Sequence, residues 1–237
     1  MFQVIRRRTP FAGAAVLFAL AAVVGCNAHS GVSVDAAGPS SSASGSTSAD
    51  QDSGAALAYG PGPQKTYTVQ AQPPAGSCHV GYDHGQPLPD PACTPGALSP
   101  AVTQATLATT ICRKGGYTGT IRPPVGITNK EKAANAKSYG YTGPLHDAEY
   151  DHLISLQLGG DPNDPRNLWV EPPSPGHKAG AGPNNPKDAV ETRLHTAICN
   201  GQVTLAAAQK AIATDWETAE QRLGLTPQPG DSSGPAD

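Results

Sequence analysis

Large apolar side chains are almost missing from one long stretch of this chain and concentrated in another. Residues 26–96 contain 6 Leu, Ile, Val or Phe in 71 positions, whereas residues 97–225 contain 22 in 129. All three Phe fall within the first 18 residues. Ordering a backbone costs entropy that only buried apolar surface can offset. One packed core therefore cannot extend through all 237 residues. The 27 Gly and 24 Pro, well above average usage, point the same way. The distribution predicts one modest domain over residues 97–225. Residues 26–58, rich in Ser, Ala and Gly, read as a flexible tether. Residues 59–96 read as a Pro-rich extended segment, and 226–237 as a disordered tail.

The first 25 residues read as an export signal. Arg6, Arg7 and Arg8 precede an apolar run from Phe11 to Val24 that is too short to span a membrane. The sequence Val23-Val24-Gly25-Cys26 is similar to the lipobox of bacterial lipoproteins, with Val23 at the usual Leu position. That resemblance implies a lipid on Cys26, a membrane anchor, and a location in the cell envelope facing the periplasm or exterior. Removing the signal leaves thirteen basic against nineteen acidic residues, a net charge of −6. A global basic field for nucleic acid is thereby excluded, and any such binding must use a local patch. Four further cysteines, Cys78, Cys93, Cys112 and Cys199, form an even set in an exported chain and read as two disulfides. Of the three pairings, Cys78–Cys93 with Cys112–Cys199 is the simplest. No C-x-x-C pair is present to suggest zinc.

Within 97–225 the pattern is α+β and mostly helical. Ser99-Pro100 predicts a helix start, with the helix running to about Cys112. Tyr117–Arg122 alternates like a short strand ended by Pro123-Pro124. Thr128-Asn129-Lys130-Glu131 is a capping box for a short helix that ends at Gly140. Glu149–Leu158 is the most strand-like run, turned by Gly159-Gly160 and followed by a second strand over Asn167–Val170. Asn185-Pro186-Lys187-Asp188 opens a helix carrying Val190, Leu194, Ala197 and Ile198, closed by Asn200-Gly201. Thr204 caps a last helix with a stripe from Leu205 through Ile212 and Trp216 to Leu223.

Chemistry concentrates between Tyr150 and Asp188. Asp151 and His152 are adjacent, so their side chains leave a strand on opposite faces unless the strand ends there. Polar groups at the mouth of a hairpin, with Asn185 and Asp188 at a following helix start, could enclose one hard cation. Carboxylate and amide oxygens suit Mg²⁺-like ions, and a neutral His beside the ion can take a proton from water. Asp188, Glu191 and His195 share one helix face, read as a solvated face with a Glu–His pair.

Asp151-His152, Gly159-Gly160 and Asn167-Leu168 together resemble the HNH endonucleases, whose fold is a ββα-metal hairpin and helix. Thr110-Ile111-Cys112, Gly116-Tyr117-Thr118, Ile121-Arg122-Pro123-Pro124, Asn167-Leu168-Trp169, Lys187-Asp188 and Asp215-Trp216 resemble a group of small exported bacterial HNH-like proteins. The resemblance covers about residues 95–222. It implies a divalent metal, Mg first and Mn, Ni or Zn as alternatives, and a DNA or RNA substrate. It implies His152 as the general base, Asp151 as a metal ligand, and Asn167 as the residue that ties the loop together and orients His152. The third position of the motif stays open between Asn185, at the helix start, and His177, at the family's usual spacing. Asn185 is favoured, although a plain helix cap is an equal reading of it.

Six basic residues between Arg113 and Lys137 face Glu131 alone. Charge runs are usually solubilising faces; the functional reading makes Arg113, Lys114, Arg122, Lys130 and Lys132 a phosphate-tracking patch. Tyr117, Tyr139 and Tyr141 could stack on bases, although packing is the commoner role of Tyr in a small domain. The expectation is a lipid-anchored HNH-type endonuclease outside the cytoplasm. The rival is a non-catalytic envelope lipoprotein that uses the same fold to bind nucleic acid or protein. No protein partner is inferable.

Overall fold

The computed structural model describes residues 56–225. The expected signal, Cys26, the tether as far as residue 55 and the tail from 226 lie outside the described residues. Helices and small sheets are mixed, in an α+β arrangement. Strands β1 (Ala58–Tyr59) and β4 (Ala97–Leu98) pair in parallel, β2 (Gly81–Asp83) and β3 (Gln86–Leu88) form a hairpin, and β5 (Glu149–His152) runs antiparallel to β6 (Leu168–Glu171). The helices are α1 (Val125–Ser138), α2 (Lys187–Cys199), α3 (Leu205–Thr214) and the single turn α4 (Ala219–Arg222). Leu194 and Ile198 of α2 and Leu205, Ala208 and Ile212 of α3 bury together with Ile154, Leu158 and Trp216 to make the main core.

Residues 59–96 are not an extended segment outside the domain. They wrap onto it through backbone polar groups, which need partners wherever they lose water. Gly60 N donates to Leu98 O, Cys78 N to Ser138 O, and Gln70 N to the Glu131 carboxylate. Cys78 is buried against Tyr139 and Trp169. The Cys78–Cys93 disulfide closes a loop that contains the β2–β3 hairpin, whose turn uses His84 and Gly85 at positive φ. The second disulfide, Cys112–Cys199, ties the segment before α1 to the end of α2. Both bridges suit an oxidising compartment outside the cytoplasm. Among the described residues, no helix is long and apolar enough to cross a membrane.

Several elements differ from their sequence patterns. The helix expected from Ser99 is a 3₁₀ turn over Gln104–Thr109, opened by a reciprocal Thr103–Thr106 capping box. The chain around Ser99 is instead paired with the 159–160 turn, Ser99 N donating to Gly159 O and Leu98 bridging Gly160. The Thr106 and Thr110 hydroxyls also bond backbone carbonyls, which competes with regular helix. Tyr117–Arg122 holds a 3₁₀ turn at Thr118–Thr120 instead of a strand. α1 starts at Val125, three residues before the expected box, because Pro123-Pro124 presets the backbone leading into it. The last helix breaks at Asp215, whose carboxylate accepts from Glu217 N and the Thr218 hydroxyl. That break lets the Trp216 indole donate to Pro87 O.

α1 has no apolar stripe and docks through hydrogen bonds. Asn135 accepts from Val170 N at 2.7 Å and donates to Gln72, and Lys132 Nζ donates to Ala148 O at 2.7 Å. These contacts fix α1 against β6 and the residues leading into β5, which frames one side of the site.

Candidate functional site

β5 and β6 pair in register, Glu149 with Glu171, Asp151 with Trp169 and His152 with Leu168. β5 ends at His152 and does not reach Leu158. The reason is Asn167. Its amide accepts from Ile154 N at 3.0 Å and donates to Ile154 O and Asp161 O at 3.0 Å each. This takes the backbone groups of Ile154 out of strand pairing and closes residues 153–167 into a loop. Gly160 lies in the same closure, where a Cβ would sit 1.7 Å from Ile154 O, so only glycine fits. Gly159-Gly160 thus serves the loop and not a tight hairpin turn.

The neighbours Asp151 and His152 take different partners, as alternation along a strand requires. The His152 ring is 6% exposed and its Nε2 lies 3.0 Å from Pro162 O. A carbonyl can only accept, so Nε2 carries the proton and Nδ1 keeps its lone pair in the neutral ring. Burial, then the positive charge of Arg122, pushes the His152 pKa down to about 4, against the raising effects of the Pro162 carbonyl and Glu191. The ring is therefore neutral at physiological pH.

Asp151 meets a charge that the sequence reading did not anticipate. Lys187, at the start of α2, is completely buried. Its Nζ donates to Asp151 Oδ2 at 2.6 Å, His152 O at 2.8 Å and Glu191 Oε1 at 2.5 Å. Burial alone would depress the ammonium pKa, but Asp151, Glu191 and Glu171 together raise it above the ordinary lysine value. Glu171 is buried, with Oε1 lacking any hydrogen-bond partner. Burial, then the Asp151 charge, holds its carboxyl well above the usual carboxylate range. Glu149 is raised by the same two causes in the same order. Asp151 and Glu191 thus hold the ammonium directly, and the Glu171 charge acts on it as well.

Asn185 does not reach Asp151. Its Nδ2 donates to Glu149 at 3.0 Å and Glu171 at 3.3 Å, and its Oδ1 accepts from Lys187 N at 3.0 Å. That last bond is the capping role. His177 lies elsewhere, with Nε2 3.4 Å from Asp147 Oδ1. Asp147 also accepts from Gly180 N and Gly182 N, and these contacts lower its pKa. Asp188, Glu191 and His195 are not one cluster. Glu191 turns to Lys187, while His195 Nε2 bonds Ile111 O at 2.8 Å.

The basic patch divides. The Arg113 guanidinium donates to Gly116 O and lies 5.5 Å over the Tyr117 ring, and Lys132 is held on Ala148 O. These two shape the protein. Arg122, Lys114 and Lys130 are exposed and make no ion pair or side-chain hydrogen bond among the described residues. Tyr139 is buried against Trp169, with ring centroids 5.8 Å apart, and cannot stack on a base.

Lys187, Glu171 and Glu149 are the site residues that sequence reasoning missed. Two signals were present. A lysine in the first turn of a helix opposes the helix dipole, so it needs a specific partner. Glu149 and Asp151 recur at spacing two, on one face of the strand.

Among the described residues the acids beside Lys187 are not a group whose ligand atoms converge on one ion, and Glu171 Oε1 is left without a hydrogen-bond partner. The group that does converge among the described residues is Cys112, His195 and Cys199, whose ligand atoms lie within 4.8 Å of one another and could hold a metal. Both sulfurs are joined in the disulfide, so thiolate ligation there requires its reduction. Comparison with family models, with curated proteins and with solved structures finds no match for this chain.

Proposed function

We propose that this chain is an HNH-type endonuclease that hydrolyses phosphodiester bonds of nucleic acid outside the cytoplasm, anchored to the membrane through a lipid on Cys26. The observation that carries the reading is the His152 ring. Its Nε2–H is fixed on Pro162 O, and Nδ1 is left as a neutral acceptor within the field of the exposed Arg122. A general base must be unprotonated and oriented before the reaction. In the proposed reaction, His152 Nδ1 takes the proton of the attacking water and Arg122 holds the phosphate. Asn167 keeps the loop closed, so that the Pro162 carbonyl stays in place. The resemblance assigns a divalent cation to Asp151, but Asp151 is paired with Lys187 and the acids beside it are not a group that converges on one ion, so no step is routed through a metal.

Plasmid nicking by the purified protein tests the proposal, with Mg²⁺ or Mn²⁺ present. His152→Ala is expected to lower the rate by about 10²–10⁴-fold, the usual worth of general acid–base catalysis. Circular dichroism checks that the variant is folded. A folded His152→Ala protein that nicks at the wild-type rate refutes the mechanism.

One observation favours a second reading. The Lys187 ammonium already neutralises Asp151, the residue expected to hold the metal. A site satisfied by an internal cation suits a binding module that keeps the fold without the chemistry. Nucleic-acid binding with no cleavage under any divalent metal would select that reading.

A further inference from the structure

Gln64–Tyr67 and the segment that runs from Thr120 into α1 enclose a groove of about 520 Å³. Its lining includes two cations, Lys65 and Arg122, and no carboxylate, in a chain of net charge −3. Both cations are exposed, and neither makes an ion pair or side-chain hydrogen bond among the described residues. Three other basic side chains are committed, Arg166 to Asp164, Arg193 to Glu220, and Lys187 to Asp151 and Glu191, whereas Lys114 and Lys130 are unpaired among the described residues but do not line this groove. Two unpaired cations facing one cleft repel each other slightly, and an anionic ligand relieves that.

The rest of the lining suits one kind of anion. The Tyr67 hydroxyl donates to Ile121 O at 2.5 Å, which fixes the half-exposed ring as one wall. Thr66 and Gln64 add neutral donors, and Ile127 adds an apolar surface. Cations that track phosphates beside an aromatic face are the components of a single-strand binding channel. The volume is that of a ligand-sized cleft, which takes one strand and not a duplex. Arg122 also connects the groove to the site, since its charge acts on both His152 and Asp188.

We infer that this groove binds a single nucleic-acid strand, with its phosphates on Lys65 and Arg122 and a base against Tyr67. The inference rests on the nuclease reading and extends it. The substrate surface is completed by residues 64–67, from the segment that wraps onto the domain, and Lys65 is a binding residue outside the basic run of 113–137.

The test is fluorescence anisotropy of a labelled 12-nucleotide DNA strand with the full-length protein in EDTA, so that binding is read without cleavage. Lys65→Ala and Arg122→Ala are each expected to raise Kd by roughly 3- to 10-fold near 0.1 M salt. Each should also reduce the salt slope by about 0.7, the value for one phosphate contact on a single strand. Lys178→Ala, an exposed cation on another loop, is expected to bind as wild type. Plasmid nicking is measured in parallel. If wild type nicks DNA but both groove variants bind the strand like Lys178→Ala, the groove inference falls and the nuclease reading stands. If the variants lose binding but wild type never cleaves, the groove stands and the nuclease reading falls. No binding by wild type at low salt overturns the inference. So does displacement of the strand by poly-glutamate as effective as displacement by unlabelled strand, which would assign the groove to an acidic peptide.

Discussion

Replacing Lys187 with Met removes the one positive charge at the centre of the site while keeping most of the side chain's volume. In the wild type, the ammonium holds Asp151 and Glu191 at 2.6 and 2.5 Å and also donates to His152 O. All three acceptors lose their donor together. The two carboxylates would then be buried as uncompensated charges next to Glu171. Breaking a buried ion pair from one side costs about 3–5 kcal/mol, far more than the pair itself contributes net. For a domain of this size, about 1 kcal/mol moves Tm by roughly 2–4 °C. Lys187→Met is therefore expected to lower Tm by about 6–20 °C at pH 7, measured by thermal circular dichroism. Two further readouts separate this cause from simple misfolding. The deficit should shrink at acidic pH, because protonation removes the uncompensated charges. Mg²⁺ or Mn²⁺ should restore part of the loss if the carboxylates accept a metal. In the wild type the sign runs the other way. A lysine whose folded pKa is raised contributes stability that is complete below the unfolded value of about 10.4 and lost as pH rises through the higher folded value. The wild type should thus lose stability from this pair only in strong alkali. A Tm change under about 2 °C for Lys187→Met at pH 7 would refute the argument, since it would mean that the ammonium holds nothing.

Asn167→Ala should cost about 3 kcal/mol or more in urea unfolding, because it strands Ile154 N, Ile154 O and Asp161 O, each worth about 1–3 kcal/mol when left unpaired. Opening Cys112–Cys199 by a double Cys→Ala change should cost about 4–5 kcal/mol by the chain-entropy relation for a separation of 87 residues, read from the same unfolding curves. Glu131→Gln should raise Tm at pH 7 by a few degrees, a gain of about 1 kcal/mol, and the gain should vanish in acid. Glu131 is fully buried with Oε2 unpartnered, and burial raises its pKa, so its charge is a liability above that pKa and none below it. A glutamine would also offer donors to the unpartnered oxygens of Asn163 and Tyr150 close by.

The sequence was most readable where local chemistry decides the outcome. Thr204 caps α3 by accepting from Ala207 N, as its position before an apolar stripe implies. Both disulfides pair in the simplest way, because each joins segments that the chain brings together without crossing the other. The start of the helix after Asn185-Pro186 follows from a proline that presets the first turn. Residues 59–96 were misread for a physical reason. Their docking relies on backbone N–H and C=O groups and one disulfide, and such contacts leave no hydrophobic period in the sequence.

The centre of the site was hidden for a related reason. Lys, Glu and Asp at helix starts and strand ends are ordinarily solvated, and the weak dipole signal at Lys187 does not by itself distinguish a buried lysine from an exposed one. Burial of Lys187 depends on three acids brought from β5, β6 and α2, that is, on tertiary pairing. The strand register decides it, since Glu149 opposite Glu171 places two acids side by side, where like charges repel. That repulsion is relieved by the Asn185 amide, which donates to both, by protonation, which the raised pKa values favour, or by a cation. Lys187 is the cation that the chain supplies itself; a divalent ion is the one that the resemblance would add. Whether the two share the site or exchange in it is what the metal dependence of Lys187→Met stability reads directly. If they share it, Mg²⁺ also stabilises the wild type; if they exchange, it rescues the variant alone.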